Sequence, residues 1–274
     1  MKLSNISIYK LEKTIKIMSR EVNLRTDEEI EKIAAAGSIV AGFLDEEVKK
    51  YLTPGIKTIE IDNLATQYAF DHKGRPSFKD VPGYYHSLCI SINEQIVHGI
   101  PGQRELKEGD LVKIDFGVTK DNYIGDACRS YIIGDATPDV KHLVEITEKC
   151  LYLGIEAAII GNYIGDIGYA IQKLAEKNRF GVVREFVGHG VGTQLHEAPS
   201  VPHYGQRRTG IKLKEGMILA IEPMINMGTW RSKVLADGWT AVTMDGKWSA
   251  QFEHTIAITK NGPRILTKLN EVEK

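Results

Sequence analysis

From Thr26 onward the apolar positions keep two rhythms. Ile30, Ile33, Ala34, Val40, Phe43, Leu44 and Val48 recur near three- and four-residue intervals, the spacing that puts apolar side chains on one face of a helix. Thr26 and Glu29 in "TDEE" stand before that run as a capping box, each satisfying a backbone N–H that the first turn leaves open. A second helical pattern, "TIEIDNLATQYAFDHKG", follows Gly55 and runs from Thr58 until Gly74 stops it. The rhythm then shortens to that of strands in "SLCISINEQIVHGI", "DLVKIDFGVT" and "NYIGDACRSYII".

The same order returns. Thr137 and Pro138 supply N-cap and first-turn residues for "DVKHLVEITEKCLYLGIEAAI", Gly161 breaks it, and "IGDIGYAIQKLAEKNRFG" gives a partner helix. Strand sequence follows again in "GMILAIEPMI", "WTAVTMD" and "EHTIAIT". One phrase is nearly duplicated: "LKEGDLVKID" ends on Asp115 and "LKEGMILAIE" ends on Glu222, 107 positions later (115 to 222). A turn glycine before an apolar strand is common, so the phrase alone carries little. Matched helices before it and a matched acid after it point to duplication. The pattern predicts an α+β protein of two helix-helix-strand halves, about 26–135 and 136–267, related by a pseudo-twofold axis. Their sheets meet, helices cover one side, and the seam is the natural place for a site. Residues 21–274 read as a single catalytic domain and residues 1–20 as a short extension.

Composition removes some function classes. The chain has 274 residues, with 35 Lys and Arg against 36 Asp and Glu, so no basic field favours nucleic acid. A small substrate or a chain end is the better expectation. Cys89, Cys128 and Cys150 match neither a disulfide framework nor a CxxC zinc module, which suits a reduced, cytoplasmic protein. The first twenty residues interleave Lys with Ile, and no apolar run is long enough for a membrane span, so no membrane partner is expected.

The acids are where chemistry enters. Asp115 and Glu222 each close an apolar run and read as strand-end carboxylates; taken singly, each would be a salt bridge or a turn cap. A buried carboxylate without a partner is costly. Asp126 follows Asp115 by eleven residues, a hairpin spacing that would set the two side by side. Glu253 enters the last apolar strand, and His189 lies between Gly188 and Gly190, whose missing side chains would leave room beside the ring. Four carboxylates and one imidazole are too much negative charge to bury without cations, and two divalent metal ions would neutralise it. Oxygen-rich ligands with one imidazole and no thiolate suit manganese, iron or cobalt, with zinc less favoured. A water shared between such ions becomes a hydroxide nucleophile near neutral pH, so hydrolysis is the expected chemistry. His98 and His196 occupy matched loops before the duplicated phrase and could hold a scissile amide and its developing oxyanion. His203 in "VPHYG" reads as a surface residue bonded to backbone.

Five ordered blocks, "SINEQIVHGIP", "VKIDFGVTKDNYIGDACRSY", "EFVGHGVGTQLHEAPSVPHYG", "LKEGMILAIEPMIN" and "DGWTAVTMDGKWSAQFEHTIAIT", together resemble the type I methionine aminopeptidases of the bacterial style, from about Thr26 to Thr267. The resemblance implies the pita-bread fold and removal of the initiator methionine when the second residue is small, by a hydroxide bridging two divalent metals. It implies that Asp115 holds one ion, His189 and Glu222 the other, and that Asp126 and Glu253 bridge. His98 would contact the scissile amide, His196 would steady the substrate carbonyl, and Glu222 would carry the proton from water to the leaving amine. Tyr84, Cys89, His196 and Trp239 correspond to the methionine pocket. Tyr85 and Leu195 depart from the family pattern, which commonly has proline and phenylalanine there. Nascent polypeptide N-termini at the ribosome are the implied partners, and a monomer the implied state. Two rival readings are a proline-specific peptidase on the same fold and a metal-free binding module.

Overall fold

Thr26 Oγ1 accepts the N–H of Glu29 at 3.3 Å while Glu29 Oε2 accepts that of Thr26 at 2.9 Å, so the capping box forms as the sequence predicts. It opens helix α1 (Asp27–Gly42) in the computed structural model, which describes residues 21–269. The 1–20 extension and the end of the 21–274 domain lie outside the described residues. The apolar stripe continues past α1 through a π-helical turn, Phe43–Glu47, and a 3-10 turn, Val48–Lys50, burying Phe43, Leu44 and Val48. Helix α2 (Thr58–Asp71) follows, then strands β1 (Arg75–Pro76), β2 (Leu88–Ile92), β3 (Leu111–Lys120) and β4 (Tyr123–Ile132). The second half runs α3 (Pro138–Ala157), α4 (Ile164–Lys177), β5 (Gly181–Val182), β6 (Gly188–Gly190), β7 (Glu197–Val201), β8 (Ile218–Ile221) and β9 (Met224–Asn226). It ends with β10 (Ser232–Val234), β11 (Ala241–Thr243), β12 (Ser249–Gln251), β13 (His254–Thr259) and β14 (Gly262–Ile265). Thr137 is the N-cap of α3 and Pro138 its first residue, but the Thr137 hydroxyl makes no capping bond.

All strand pairs among the described residues are antiparallel. In the first sheet β3 is central, with β1 and β2 along one edge and β4 on the other. In the second half β14, β13, β8, β6 and β7 form a five-stranded sheet in that order, beside a smaller sheet of β12, β9 and β5. Helices α1 and α2 pack on the first sheet around Phe43, whose ring centroid lies 5.1 Å from that of Phe116. Helices α3 and α4 cover the second half through Leu143, Cys150, Ile167 and Ile171. Truncating the buried Phe43 would cost about 3–5 kcal/mol.

The duplication is written in backbone hydrogen bonds. Gly55 N donates to Leu106 O and Gly161 N to Leu213 O; Leu106 N donates to Ile56 O and Leu213 N to Asn162 O. Glu60 Oε2 accepts the Lys57 N–H and Asp166 Oδ2 the Tyr163 N–H, both at 2.8 Å, at the start of α2 and α4. Gly109 and Gly216 take φ of +84° and +82°, the left-handed turn that glycine permits, just before β3 and β8. The halves join where β4 meets the link between β12 and β13. There Thr255 Oγ1 accepts the Asp126 N–H and donates to Asp126 O, Glu253 N donates to Cys128 O, and Ser130 Oγ donates to Gln251 O. Two of the acids singled out in the sequence thus lie on the seam itself. Among the described residues no helix is long and apolar enough to cross a membrane.

Candidate metal centre

Asp115 is inside its strand rather than at the end, a correction to the sequence reading, and Asp126 also lies within a strand. Asp115 is the fifth residue of β3 and pairs with Cys128, while Asp126 in β4 pairs with Gly117. The carboxylates are therefore diagonal neighbours on one face, not directly opposite, because the turn at Asp121–Asn122 sets the register two residues away from the pairing expected. Gly117 leaves the space that Asp126 uses: a Cβ there would lie 3.3 Å from Asp126 Oδ1. Glu222 follows β8 directly, and Glu253 sits between β12 and β13.

His189 lies in a strand. Its glycine-flanked segment is strand β6, held between β7 and β8, and the glycines admit neighbouring backbone rather than a ligand. A Cβ on Gly188 would lie 2.3 Å from Ala220 O, and one on Gly190 2.2 Å from Ala198 O. The Nδ1–H of His189 donates to Gly190 O at 2.9 Å, which leaves Nε2 as a lone pair facing the acids. Nε2 lies 3.5 Å from Glu222 Oε1 and 3.9 Å from Asp126 Oδ2. Ligand atoms of Asp126, His189 and Glu253 all fall within 4.8 Å of one another.

The electrostatics of this cluster need a cation. Burial pushes the carboxyls of Asp115, Glu222 and Glu253 well above the usual range, with the charge of Asp126 adding to each. Burial raises Asp126 to about 7 and lowers the His189 imidazole to about 4. Asp115 Oδ1, Asp126 Oδ1 and Glu253 Oε1 are buried with no hydrogen-bond partner among the described residues. Arg129, half-buried in β4, and Lys113, buried in β3, are engaged elsewhere. Arg129 binds Asp45 and the carbonyls of Cys128, Glu253 and Thr267, and Lys113 Nζ donates to Asn93 O at 2.9 Å. Orphaned carboxylate oxygens beside an outward imidazole lone pair fit divalent metal ions.

Of the remaining sequence candidates, His196 and Cys89 adjoin this cluster. The His196 ring, exposed, meets that of His189 edge-on with centroids 4.4 Å apart. His98 takes φ of +59° and packs against Phe186, centroids 5.4 Å apart. Cys89 pairs with Asp115 across β2 and β3, so the candidate pocket begins next to the acids. Tyr84 and Cys89 are buried together with Phe78, and Leu195 and Trp239 pack on them; the Tyr84 and Trp239 rings meet edge-on at 5.0 Å. Leu195 thus enters the pocket cluster, whereas Tyr85 points to solvent at 82 % exposure.

Two residues near the site escaped the sequence reading. His203 is fully buried, not a surface residue, and its Nε2 accepts the backbone N–H of Glu222 at 3.0 Å. Its loop carries no periodic signal that would have placed it inside. Gln251 Nε2 donates to Glu222 Oε2 at 3.2 Å; lying two residues before Glu253, it had the period of a shared strand face as a faint signal.

A model of Metallopeptidase family M24 matches residues 31–260. Methionine aminopeptidase 1 of Bacillus subtilis is 49% identical over 245 residues, covering 89% of this chain and 98% of that protein. The methionine aminopeptidase of Clostridium perfringens is 47% identical over 244 residues, covering 89% of this chain and 98% of its own length. The crystal structure of the methionine aminopeptidase from Thermotoga maritima superposes with a TM-score of 0.89 at 43% identity, covering 90% of this chain and all of that one. The prolidase from Pyrococcus furiosus shares the fold at a TM-score of 0.73, but at 23% identity, with 96% of this chain matched to 69% of that one.

Proposed function

Because the chain belongs to metallopeptidase family M24, we propose that it removes the amino-terminal methionine of newly made proteins and peptides, using the buried acid cluster as its metal centre. The α+β pita-bread fold of the family, with its antiparallel sheets and flanking helices, is the frame. Relatives at 40–49% identity named as methionine aminopeptidases favour this activity over a proline-specific one, since the prolidase likeness is one of fold alone. A binding module without metals would have lost its ligands, and all five candidate ligand residues stand in place.

The observation that carries the reading is the set of partnerless buried carboxylate oxygens facing the Nε2 of His189. Asp115, Asp126, His189, Glu222 and Glu253 would together hold two divalent ions. Manganese, iron or cobalt suits the donors best, and zinc is admissible. Such ions would lower the pKa of water so that it attacks near neutral pH, and would polarise the scissile carbonyl.

The chain's own groups do the rest. Glu222 accepts the proton of the attacking water and returns it to the leaving amine, serving as general base and then as general acid. Gln251 fixes the other oxygen of Glu222. His98 holds the scissile amide, and His196 donates to the carbonyl oxygen as it becomes tetrahedral. Tyr84, Cys89, His196 and Trp239 line the methionine pocket, where aromatic edges and sulfur pack against a flexible thioether. A small second residue, Gly, Ala, Ser, Thr, Cys, Pro or Val, lets the backbone approach the centre. Nascent chain starts at the ribosome are the substrates, a monomer is the acting form and the cytoplasm the compartment, a reading supported by three unpaired cysteines.

The test is elemental analysis joined to a peptide panel. Transition metal should be retained, and free methionine should appear from Met-Gly-Gly but not from Met-Leu-Gly, with an Xaa-Pro dipeptide untouched. Cleavage of the Xaa-Pro dipeptide alone would select the rival peptidase. Absence of metal and of all cleavage, even with added manganese, iron or cobalt, would sink the enzyme reading.

A further inference from the structure

Glu197 follows His196 directly and is 6% exposed, yet it takes no part in the acid cluster. Its carboxylate is filled from every side. Oε1 accepts the backbone N–H groups of Thr193 at 2.9 Å and Gln194 at 3.0 Å and the Thr193 hydroxyl at 3.2 Å. Oε2 accepts the Asn23 amide at 2.8 Å, and Arg25 NH2 donates to both oxygens at 2.8 Å. Burial alone would raise this carboxyl, but Asn23, the Gln194 N–H and Arg25 outweigh it and hold the group below its ordinary value. In the metal-centre acids burial acts without such donors, and the shift has the opposite sign.

Asn23 and Arg25 come from the segment before α1, more than 170 residues away in sequence. That segment is itself anchored. Arg25 N donates to Gly216 O at 2.7 Å, and Arg25 NH1 donates to Glu29 of the capping box at 3.2 Å. The guanidinium lies against Gly192, where a Cβ would come within 2.5 Å of it. The matching turn of the first half, at Gly109, faces Asp135 instead, so the strap breaks the internal symmetry on the His196 side only. What it grips is the 192–196 loop, which delivers Leu195 to the pocket cluster and His196 to the face of His189.

We infer that Asn23 and Arg25 are positioning residues that act through Glu197 to fix the 192–196 loop, and with it the aim of His196 at the substrate carbonyl. This rests on the aminopeptidase reading for the part given to His196. A group that only stabilised the fold would affect turnover whether or not His196 were present; one that acts through His196 has nothing left to position once that ring is gone.

Methionine release from Met-Gly-Met-Met by the full-length, manganese-loaded protein is measured for the parent, Arg25→Ala, His196→Ala and the double variant. Arg25→Ala should lower kcat about tenfold with a smaller change in KM, since small misplacements of a catalytic group are costly. Arg25→Lys should restore much of the loss. In the His196→Ala background, removing Arg25 should change kcat less than about twofold. Additive losses, or a loss carried by KM alone, overturn the inference. Independently of turnover, the His196 imidazole resonances of the zinc-loaded protein should move in Arg25→Ala while those of His98 stay, and unmoved His196 resonances would also overturn it. A parent that releases no methionine would refute the functional reading and leave the resonance result to decide the positioning. Should Arg25→Ala fail to fold, Asn23→Ala removes a single donor from Glu197 and carries the same cycle.

Discussion

The backbone N–H of Glu222 donates to Nε2 of His203 at 3.0 Å, so the acid just beyond β8 is held by an imidazole that carries no charge. Burial keeps that ring neutral, its pKa lowered to about 3, with the nearby His189 adding to the effect. His203→Ala leaves the amide of Glu222 without its acceptor and opens a void beside Gly188. A buried donor stripped of its partner costs about 1–3 kcal/mol. Urea denaturation should register that loss, and metal retention should weaken as Glu222 gains freedom. Equal unfolding midpoints for variant and parent would show that the bond does not hold the acid.

How far the sequence reaches is visible in this pair. Asp115, Asp126, His189, Glu222 and Glu253 were legible as candidates because a charge inside an apolar run contradicts its surroundings, and that contradiction is local. The duplicated helices and the phrase ending on Asp115 and Glu222 were legible for the same reason, as periodicity. His203 was not, since a histidine in a polar loop contradicts nothing until the fold wraps strands around it. The diagonal register of Asp115 and Asp126 also escaped, because one turn conformation at Asp121 and Asn122 decides it. Strand β6 carries no strand signal because its glycines serve close backbone approach, which only the neighbours at Ala198 and Ala220 reveal.

Metal-free protein should lose stability as the pH rises from about 6.5 to about 8. The raised carboxyls of Asp115, Glu222 and Glu253 keep protons in the fold that the unfolded chain has already released, so each unit of pH favours unfolding. Asp126, at about 7, contributes to the lower part of that window. His189 and His203, lowered to about 4 and about 3, act in the opposite sense, as does the lowered His254, but only up to the ordinary histidine value of 6.5. Above pH 7 the buried Lys113, lowered to about 7, opposes as a single group. Excess manganese should reverse the slope, since deprotonated carboxylates are the ligands. Denaturation in chelator and in manganese across the window measures both slopes; a metal-free chain that gained stability would contradict the buried charge cluster.

Asp126→Asn replaces one anionic oxygen of the cluster by an amide of similar shape. Weaker metal binding should lower kcat by about 10²-fold or more, the scale found when preorganised charge stabilisation is removed. The metal-free variant, however, should be more stable than the metal-free parent at pH 8, because one charge fewer is buried among like charges. Elemental analysis, turnover and denaturation in chelator separate these effects. A variant both inactive and less stable without metal would make Asp126 a structural residue.

His98 packs on Phe186 and is assigned to the scissile amide rather than to a metal, so its removal should spare the metals. His98→Ala should retain its metal content while kcat falls by about 10²-fold, in the range of a lost proton-handling or hydrogen-bonding group. An emptied centre would instead make His98 a ligand or a support for one, and would withdraw its assignment to the scissile amide.

Trp239 closes the pocket cluster edge-on to Tyr84 at 5.0 Å and stands over Gly83, where a Cβ would lie 3.7 Å from the indole. Trp239→Ala opens the slot without touching a carboxylate. An aromatic contact of this kind contributes about 0.5–1.5 kcal/mol beyond its buried area, and the methionine side chain loses apolar surface as well. The variant should therefore keep its metals and lose about tenfold in kcat/KM, mainly through KM, because the thioether is gripped alike in ground and transition states. Norleucine, which keeps the shape and lacks the sulfur, should lose less than methionine if sulfur against the indole is part of the grip. Peptides beginning with Met and with norleucine, assayed side by side on parent and variant, give that ratio; equal losses for both would assign the selectivity to shape alone.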